Sequence, residues 1–334
     1  MQQHHLLISE CVEEVGKCII GQREMVRGML MGLLARGHVL LEGVPGLAKT
    51  RAVKTVAEVT DATFQRIQFT PDLLPADLVG TMVFRQDTGE FSARKGPVFA
   101  NIVLADEINR APAKVQSALL EAMEERQVTI GSETFALEEP FFVMATQNPI
   151  EQEGTYPLPE AQLDRFLLKL NVPYPTREEE LDVLRLIGNE RDIPVSARID
   201  RKAIQGLRDT AQAVRLDPRI EEYIVTLVQA TRRQDVARGA TGLGAGVPPR
   251  LTGKDPEYLQ YIEYGASPRA SIYLYRCAKI KALLSGRSFT IPEDVKDVAH
   301  DLLRHRIVVT YEAESEDLTA DDLIAALLNH VEVP

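Results

Sequence analysis

The hydrophobic pattern of the chain changes character near its middle. In the first half, short apolar runs alternate with longer stretches whose apolar positions recur at helical spacing, which predicts strands separated by helices. The expected strands are His38–Gly43, Phe64–Phe69, Ala100–Ala105, Phe141–Ala145 and Phe166–Leu170. Runs that are apolar throughout are typical of parallel strands buried on both faces. The first half is therefore predicted to fold as α/β, with a parallel five-stranded sheet between layers of helices.

From Thr176 onward the pattern is almost entirely helical. Thr176 precedes Glu178 and Glu179, which is typical of a helix N-cap followed by acids in the first turn. The expected helices are Arg177–Gly188, Asp200–Val214, Pro218–Arg233, Pro268–Leu284, Pro292–Leu303 and Asp321–His330. We therefore expect an α/β domain over residues 1–174 and a small all-α domain over 175–334. A loop rich in Gly and Pro, 238–249, interrupts the helical half, and the sequence leaves its role open.

Composition narrows the class of protein. The chain has 334 residues, enough for about two domains. Its 38 Lys and Arg against 49 Asp and Glu give a net charge of −11, which argues against sequence-independent binding of nucleic acid, since neutralising phosphates needs clustered cations. Three unclustered cysteines are typical of a reducing cytosol, and neither a membrane span nor a signal peptide is evident. These features predict a cytoplasmic protein.

A glycine-rich string lies directly after the first predicted strand. It matches the phosphate-binding pattern G-x-x-x-x-G-K-[ST] and reads Gly43-Val44-Pro45-Gly46-Leu47-Ala48-Lys49-Thr50. In this pattern backbone N–H groups and a helix N-terminus point at phosphate. We expect Lys49 to reach the β- and γ-phosphates of a nucleotide and the Thr50 hydroxyl to ligate Mg²⁺. The alternative is a Gly-rich turn that exposes a lysine.

Two further predicted strands end in polar residues. A buried run delivers Asp106 and Glu107 at its carboxyl end, where open α/β sheets bind ligands. We expect Asp106 to hold Mg²⁺ and Glu107 to polarise an attacking water. Taken alone, the two acids could instead cap the following turn. Asn148 follows another buried strand and could orient the same water, although Asn148-Pro149 is also a strong turn signal.

Longer strings point to a family. They are Leu104–Pro112, Glu121–Val128, Gly154–Phe166 and Gly265–Ser271. Together with the motifs above, they make the chain resemble a MoxR-type AAA+ ATPase of the helix-2-insert clade. The resemblance covers nearly the whole length. It implies that the α/β half is an AAA+ P-loop NTPase core and that the helical half is its lid.

The resemblance implies roles for residues outside the phosphate loop. Asn148 matches sensor 1, Arg165 matches the arginine finger that reaches a neighbouring subunit's γ-phosphate, and Arg269 matches sensor 2 on the lid. An arginine suits the charge of a transferring phosphoryl group. Arg165 could instead pair with a nearby acid of its own chain. Arg269 lies near a predicted helix start, where the helix dipole disfavours a cation unless an anion compensates it.

Three segments are also matched by the resemblance. Ile20-Gly21-Gln22 corresponds to the segment that packs on adenine. Residues 84–96 correspond to the insertion in helix 2, and residues 127–140 to the hairpin before sensor 1. The insertion and the hairpin are implied to face the pore or a partner.

The resemblance further implies an activity. ATP and Mg²⁺ are expected at the interfaces between copies of the chain in a ring, a hexamer, where hydrolysis drives chaperone-like remodelling or maturation of partner proteins. The implied partners carry a von Willebrand factor A domain. Alternatives are a nucleic-acid-associated AAA+ motor, a chelatase-type motor subunit, and a nucleotide-gated scaffold that scarcely hydrolyses. The net charge of −11 argues against the first alternative.

Overall fold

The computed structural model describes residues 2–87, 89–149, 154–187, 194–232 and 257–334. By their packing these residues divide into two units, Gln2–Asp209 and Thr210–Pro334. The domain boundary proposed at 174 follows the last strand of the first unit, which ends at Asn171, whereas the packing of the chain divides at 209. The Gly- and Pro-rich loop at 238–249 lies outside the described residues.

Strands separated by helices form the first unit. In chain order the strands are β1 (Val39–Glu42), β2 (Phe64–Gln68), β3 (Gly80–Arg85), β4 (Glu90–Lys95), β5 (Ile102–Asp106), β6 (Gln127–Ile130), β7 (Glu133–Ala136), β8 (Phe142–Gln147) and β9 (Leu168–Asn171). Five of them form one parallel sheet in the order β2-β5-β8-β1-β9. The α/β prediction is confirmed, and each strand of this sheet lies within or overlaps its predicted segment.

The register of the sheet brings three strand ends to one edge. Strand β8 lies between β5 and β1, with Ala145 opposite Ala105 and Gln147 opposite Glu42. Because the strands are parallel, the carboxyl ends of β1, β5 and β8 meet on the same side of the sheet. The phosphate loop, the pair Asp106 and Glu107, and Asn148 lie at these three ends.

Eight helices lie wholly or mostly in the described residues of the first unit. They are α1 (Gln2–Gly16), α2 (Arg23–Leu34), α3 (Lys49–Val59), α4 (Pro75–Val79), α5 (Ala113–Glu125), α6 (Glu160–Leu163), α7 (Arg177–Ile187) and α8 (Arg201–Ala213), which runs across the division. Helix α7 has the expected cap, since the Thr176 N–H donates to Glu179 Oε2 at 2.8 Å and the Glu179 N–H donates to Thr176 Oγ1 at 3.3 Å.

Two antiparallel hairpins extend from the first unit outside the five-stranded sheet. Strands β3 and β4 pair from Gly80 opposite Lys95 onward, so the stretch 84–96 holds the tip and the returning strand of a hairpin. Phe84 and Phe91 pack together on it with ring centroids 5.2 Å apart, and both are mostly exposed. Strands β6 and β7 form the second hairpin, within the stretch 127–140.

Helices dominate the second unit, as the sequence predicts. Those described are α9 (Pro218–Ala230), α10 (Pro268–Leu284), α11 (Pro292–Leu303), α12 (Tyr311–Ser315) and α13 (Ala320–His330). Proline at the first position of α9, α10 and α11 presets the helical φ angle. The sequence did not predict the short antiparallel pair β10 (Ile262–Tyr264) and β11 (Val308–Val309). Across the described ranges of both units, no helix is long and apolar enough to cross a membrane.

Candidate nucleotide-binding site

The glycine-rich loop connects β1 to α3 in a curled backbone. Gly46 has φ +89°, and a Cβ added there would meet no atom within 4 Å, so this position needs glycine for its backbone angle and not for space. Ala48, which precedes α3, is also left-handed with φ 54°. The Gly43 N–H donates to the Gln147 carbonyl at 3.3 Å. The loop is therefore anchored to β8 at its start and opens directly into a helix N-terminus, as an anion cradle requires.

Lys49 is the first residue of α3 and folds back over the loop. Its ammonium donates to the Gly43 carbonyl at 2.5 Å. Burial lowers the pKa of Lys49, and the carboxylates of Asp106, Glu107 and Glu42 oppose that shift. The three carboxylates thus favour the charged form of the half-buried Lys49, which is the form that can pair with a phosphate.

The acidic pair lies where β5 ends. Asp106 is the last residue of the strand, and Glu107 has the left-handed φ of 57°. One hydroxyl fixes both residues: Thr146 Oγ1 accepts from the Glu107 N–H at 2.8 Å and donates to Asp106 Oδ1 at 2.6 Å. The left-handed angle costs about 1–2 kcal/mol for a residue with a Cβ, so the turn depends on contacts of this kind.

Side chains from β2 and from the turn after β5 hold the two carboxylates. Arg66 donates to Asp106 Oδ2 through Nε at 3.0 Å and Nη2 at 2.7 Å. Gln68 Nε2 donates to Glu107 Oε2 at 2.7 Å, and Arg110 Nε lies 3.2 Å from the same oxygen. The Glu107 side chain does not cap the 3₁₀ turn Ile108–Arg110 that follows it. The alternative in which Glu107 caps the turn is therefore wrong.

Asn148 follows β8, between the phosphate loop and the acidic pair in the strand order. It is buried, with 7% of its surface exposed, and the preceding residue Gln147 accepts the Gly43 N–H. A neutral amide at this position can donate to a water or phosphate without neutralising Glu107.

The segment Ile20-Gly21-Gln22 packs against the chain that follows β9. Gln22 is buried and its Nε2 donates to the Pro173 carbonyl at 3.2 Å. Gly21 has φ +77°, and a Cβ there would lie 2.6 Å from the carboxyl carbon of Glu179. The left-handed angle favours glycine at this point, whereas the end of the Glu179 side chain could move away from a Cβ.

Arg165 lies just after α6 and is paired within its own chain. Its Nη2 lies 3.1 Å from Glu124 Oε2 on α5, and about a third of each side chain is exposed. This is the nearby-acid alternative from the sequence, realised with an acid that only the fold brings close. Because ion pairs exposed to this extent contribute little, roughly 0–1 kcal/mol, a stronger anion can displace Glu124 from Arg165.

Arg269 belongs to the second unit, at the second position of α10. The helix is capped by Ser267, whose hydroxyl accepts the Arg269 N–H at 3.2 Å. The preceding Gly265 sits so close to α9 that a Cβ there would lie 2.3 Å from the Thr231 carbonyl oxygen. Ala266 N–H donates to Thr231 Oγ1 at 3.0 Å. The start of α10 is thus held firmly within its unit.

Comparison with known families agrees with this geometry. Residues 38–168 match the family model described as "ATPase family associated with various cellular activities (AAA)", and residues 260–327 match the "AAA lid domain". The Chaperone MoxR1 of Mycobacterium tuberculosis is 47% identical over 329 residues, which cover 98% of this chain and 82% of that protein. The chain belongs to the MoxR family of AAA+ ATPases. It is therefore an ATPase that binds nucleotide.

Other MoxR-family proteins match along nearly their whole length. Protein MoxR of Methylorubrum extorquens is 30% identical over 335 residues, which cover 96% of this chain and 93% of that protein. The crystal structure of a candidate ATPase from Cytophaga hutchinsonii is 46% identical, superposes with a TM-score of 0.87, and is matched over 99% of this chain and 96% of that one. The AAA+ core and helical lid predicted from the sequence are confirmed.

Within this MoxR-family core, the structure brings together most of the predicted site residues of the first unit. The phosphate loop with Lys49 and Thr50, the pair Asp106 and Glu107, and Asn148 all follow neighbouring parallel strands. Arg165, in contrast, is engaged with Glu124 on α5. The roles predicted for these residues remain proposals.

Sequence reasoning missed four residues that touch the acidic pair, one of which is Arg110 on the turn after β5. Thr146 lies inside the string that contains Asn148, yet its hydroxyl contacts Asp106 and the Glu107 backbone. Arg66 and Gln68 lie on β2, on a face that alternates with the buried Ile67. In the sequence these two residues are visible only as polar positions on one face of a strand. That they contact the acids follows from the pairing of β2 with β5, which the sequence does not show.

Proposed function

We propose that this MoxR-family chain assembles into a ring, a hexamer, and hydrolyses Mg–ATP at the interfaces between subunits to remodel or mature partner proteins. The observation that carries the proposal is the strand order, since β8 between β1 and β5 brings the phosphate loop, Asp106, Glu107 and Asn148 to one edge of the sheet. The name of the similar Mycobacterium tuberculosis protein, Chaperone MoxR1, supports the chaperone-like role.

The residues present fit a nucleotide with a divalent cation. The left-handed angles at Gly46 and Ala48 curl the loop, and the Lys49 ammonium already rests on a loop carbonyl. The oxygen donors proposed for Mg²⁺, the Thr50 hydroxyl and the Asp106 carboxylate, are of the hard type that this ion prefers. Mg²⁺, when bound there, would neutralise charge on the β- and γ-phosphates.

Each proposed catalytic residue has a defined task. Lys49 and the loop N–H groups, Gly43 to Thr50, bind the phosphates, and the segment 20–22 packs on the base. Glu107 accepts a proton from the attacking water, and Asn148 orients that water. For Glu107 to do so, its carboxylate has to leave Gln68 or share its remaining lone pairs.

Two arginines are proposed to complete the site: one comes from the neighbouring subunit and the other from the lid. Arg165 reaches the γ-phosphate of the neighbouring subunit, and Arg269 contacts phosphate from the lid. An arginine supplied by a neighbour makes hydrolysis depend on assembly, because without it the developing charge lacks a partner.

The exposed pair Phe84 and Phe91 on the β3–β4 hairpin is proposed to face the pore or the partner. The partners proposed are proteins with a von Willebrand factor A domain. A pull-down with an ATP-trapped ring tests the partner class, and recovery of proteins without that domain would contradict it.

Glu107→Gln tests the catalytic assignment. We expect the variant to bind ATP as the wild type does and to lose phosphate release, because an amide cannot accept the proton of water. Glu121→Gln on the exposed face of α5 is the matched control, and it should keep full turnover. Undiminished phosphate release from Glu107→Gln would rule out its role as the base.

Mixing variants tests the shared site. Arg165→Ala and Lys49→Ala subunits should each be inactive alone. Mixed rings should recover part of the activity, since an interface can then combine an intact loop with an intact arginine. Sedimentation with and without ATP reports the number of subunits. If rings form but no mixture recovers activity, Arg165 does not act in trans.

A further inference from the structure

Arg66 contacts the carboxylate that we propose as a metal ligand. It extends from β2 onto Asp106 of the neighbouring strand, where Nε and Nη2 both donate to Oδ2, at 3.0 and 2.7 Å. The Arg66 side chain is 48% exposed and that of Asp106 is 13% exposed. The other oxygen, Oδ1, is held by the Thr146 hydroxyl. The guanidinium thus holds one oxygen of Asp106 and the Thr146 hydroxyl holds the other.

The same guanidinium also orients Gln68. Arg66 Nη2 donates to Gln68 Oε1 at 2.7 Å, and Gln68 Nε2 donates to Glu107 Oε2 at 2.7 Å. A side-chain amide has its acceptor at one end and its donors at the other, so fixing the oxygen on Arg66 directs the nitrogen to Glu107. One arginine therefore holds Asp106 directly and Glu107 through Gln68.

We propose that Arg66 is a metal-displaced latch: it covers Asp106 while the site lacks Mg²⁺, and it leaves when Mg²⁺ binds with the nucleotide. A guanidinium and a divalent cation on one carboxylate oxygen repel each other, so the two compete for Asp106. The inference rests on the proposed metal role of Asp106. It makes Arg66 a positioning residue that regulates loading of the site.

The geometry suits reversible competition. Two charge-assisted hydrogen bonds to one oxygen make the contact specific. The half-exposed side chain keeps the contact weak enough to break. When Arg66 leaves, the Thr146 hydroxyl still holds Oδ1, so Asp106 keeps its orientation. The departure also removes the group that fixes Gln68 on Glu107.

Binding of a fluorescent, non-hydrolysable ATP analogue, mant-AMPPNP, tests the latch. The quantity measured is the tightening factor, the ratio of Kd in EDTA to Kd in saturating Mg²⁺. In Arg66→Ala we expect this factor to exceed the wild-type value about 1.5- to 5-fold, the range of a partly exposed ion pair. Arg66→Lys keeps the charge but lacks the planar fork, so it should give an intermediate value. Arg85→Ala, an exposed arginine on β3 bonded to Ser92, is the matched control and should match wild type.

The arms separate failure of the latch from failure of the proposed function. Asp106→Asn should bring the tightening factor close to one. If Asp106→Asn instead keeps the wild-type tightening factor, Asp106 is not the metal ligand, and the binding of Mg²⁺ by Asp106 drops out of the proposed function. If Asp106→Asn abolishes the effect while Arg66→Ala leaves the factor unchanged or lowers it, the latch is overturned and the metal site stands. A factor raised in Arg66→Ala but unchanged in Arg66→Lys would show a general effect of charge and would also overturn the latch.

Discussion

Thr146→Val is the substitution that most directly tests how the acidic pair is held. Valine has nearly the shape of threonine, so the buried position, 1% exposed, keeps its packing. The change removes only the hydroxyl, which accepts from the Glu107 N–H at 2.8 Å and donates to Asp106 Oδ1 at 2.6 Å. Both acidic residues lose a contact in one step.

The size of the effect follows from these two bonds. A hydrogen bond to a charged group contributes about 1.5–3 kcal/mol, and an unsatisfied buried N–H costs about 1–3 kcal/mol. The left-handed Glu107 is also freed to relax from φ 57°. If about 1.5–3 kcal/mol of this positioning is lost in the transition state, kcat falls about 10- to 150-fold.

Steady-state phosphate release at saturating Mg–ATP measures this loss. Affinity for mant-AMPPNP in EDTA should change little, because the phosphate loop is untouched. Thr146→Ser keeps the hydroxyl and should retain most of the turnover. The reasoning is refuted if Thr146→Val hydrolyses ATP as fast as Thr146→Ser while the thermal stabilities of the two variants agree.

Three further predictions concern stability and binding. Gly265→Ala should lower the melting temperature, because its Cβ would lie 2.3 Å from the Thr231 carbonyl oxygen. Gly206→Ala lies inside α8, where a Cβ would meet no atom within 4 Å, and should stabilise the protein by about 0.5–1 kcal/mol. Equal melting temperatures of the two variants would contradict this reasoning. Burial lowers the pKa of His38 from 6.5 to about 4. Between these two pH values the folded protein binds fewer protons than the unfolded chain, so it loses stability as the pH falls from 6.5 toward 4. This loss should be about 2 kcal/mol between pH 8 and 5 in urea unfolding, and an equal pH slope in His38→Gln would refute it. Lys49→Ala should weaken nucleotide binding about 30- to 100-fold by fluorescence titration, and unchanged affinity would exclude Lys49 from the phosphate site.

The sheet and most of the helices were predictable because their signals are local. Four of the five sheet strands lie in apolar runs that stand out, and β2 shows the alternation of a strand. Helices α10 and α11 begin at prolines that mark them. Strands β10 and β11 escaped prediction because they have three and two residues. Elements this short carry no periodicity, and pairing between distant segments defines them.

Only the site residues that belong to a local sequence motif could be predicted. Lys49, Asp106 and Glu107 lie in patterns whose spacing reflects their chemistry. Arg66 and Gln68 contact those acids because β2 pairs with β5, with Gln68 opposite Asp106. No local pattern encodes which strand lies beside which. The same holds for Glu124, which meets Arg165 through the packing of α5 and the turn after α6.

The position of β8 has a consequence for how such a protein can vary. Two strand spacings, about 10 Å, separate β1 from β5, and backbone hydrogen bonds through β8 set that distance. The gap between the phosphate loop and the two acids is therefore independent of which side chains fill the sheet. The β3–β4 hairpin lies outside this sheet, so its sequence can diverge without changing the spacing of the nucleotide site. The fold thereby separates the part that consumes ATP from the parts free to change.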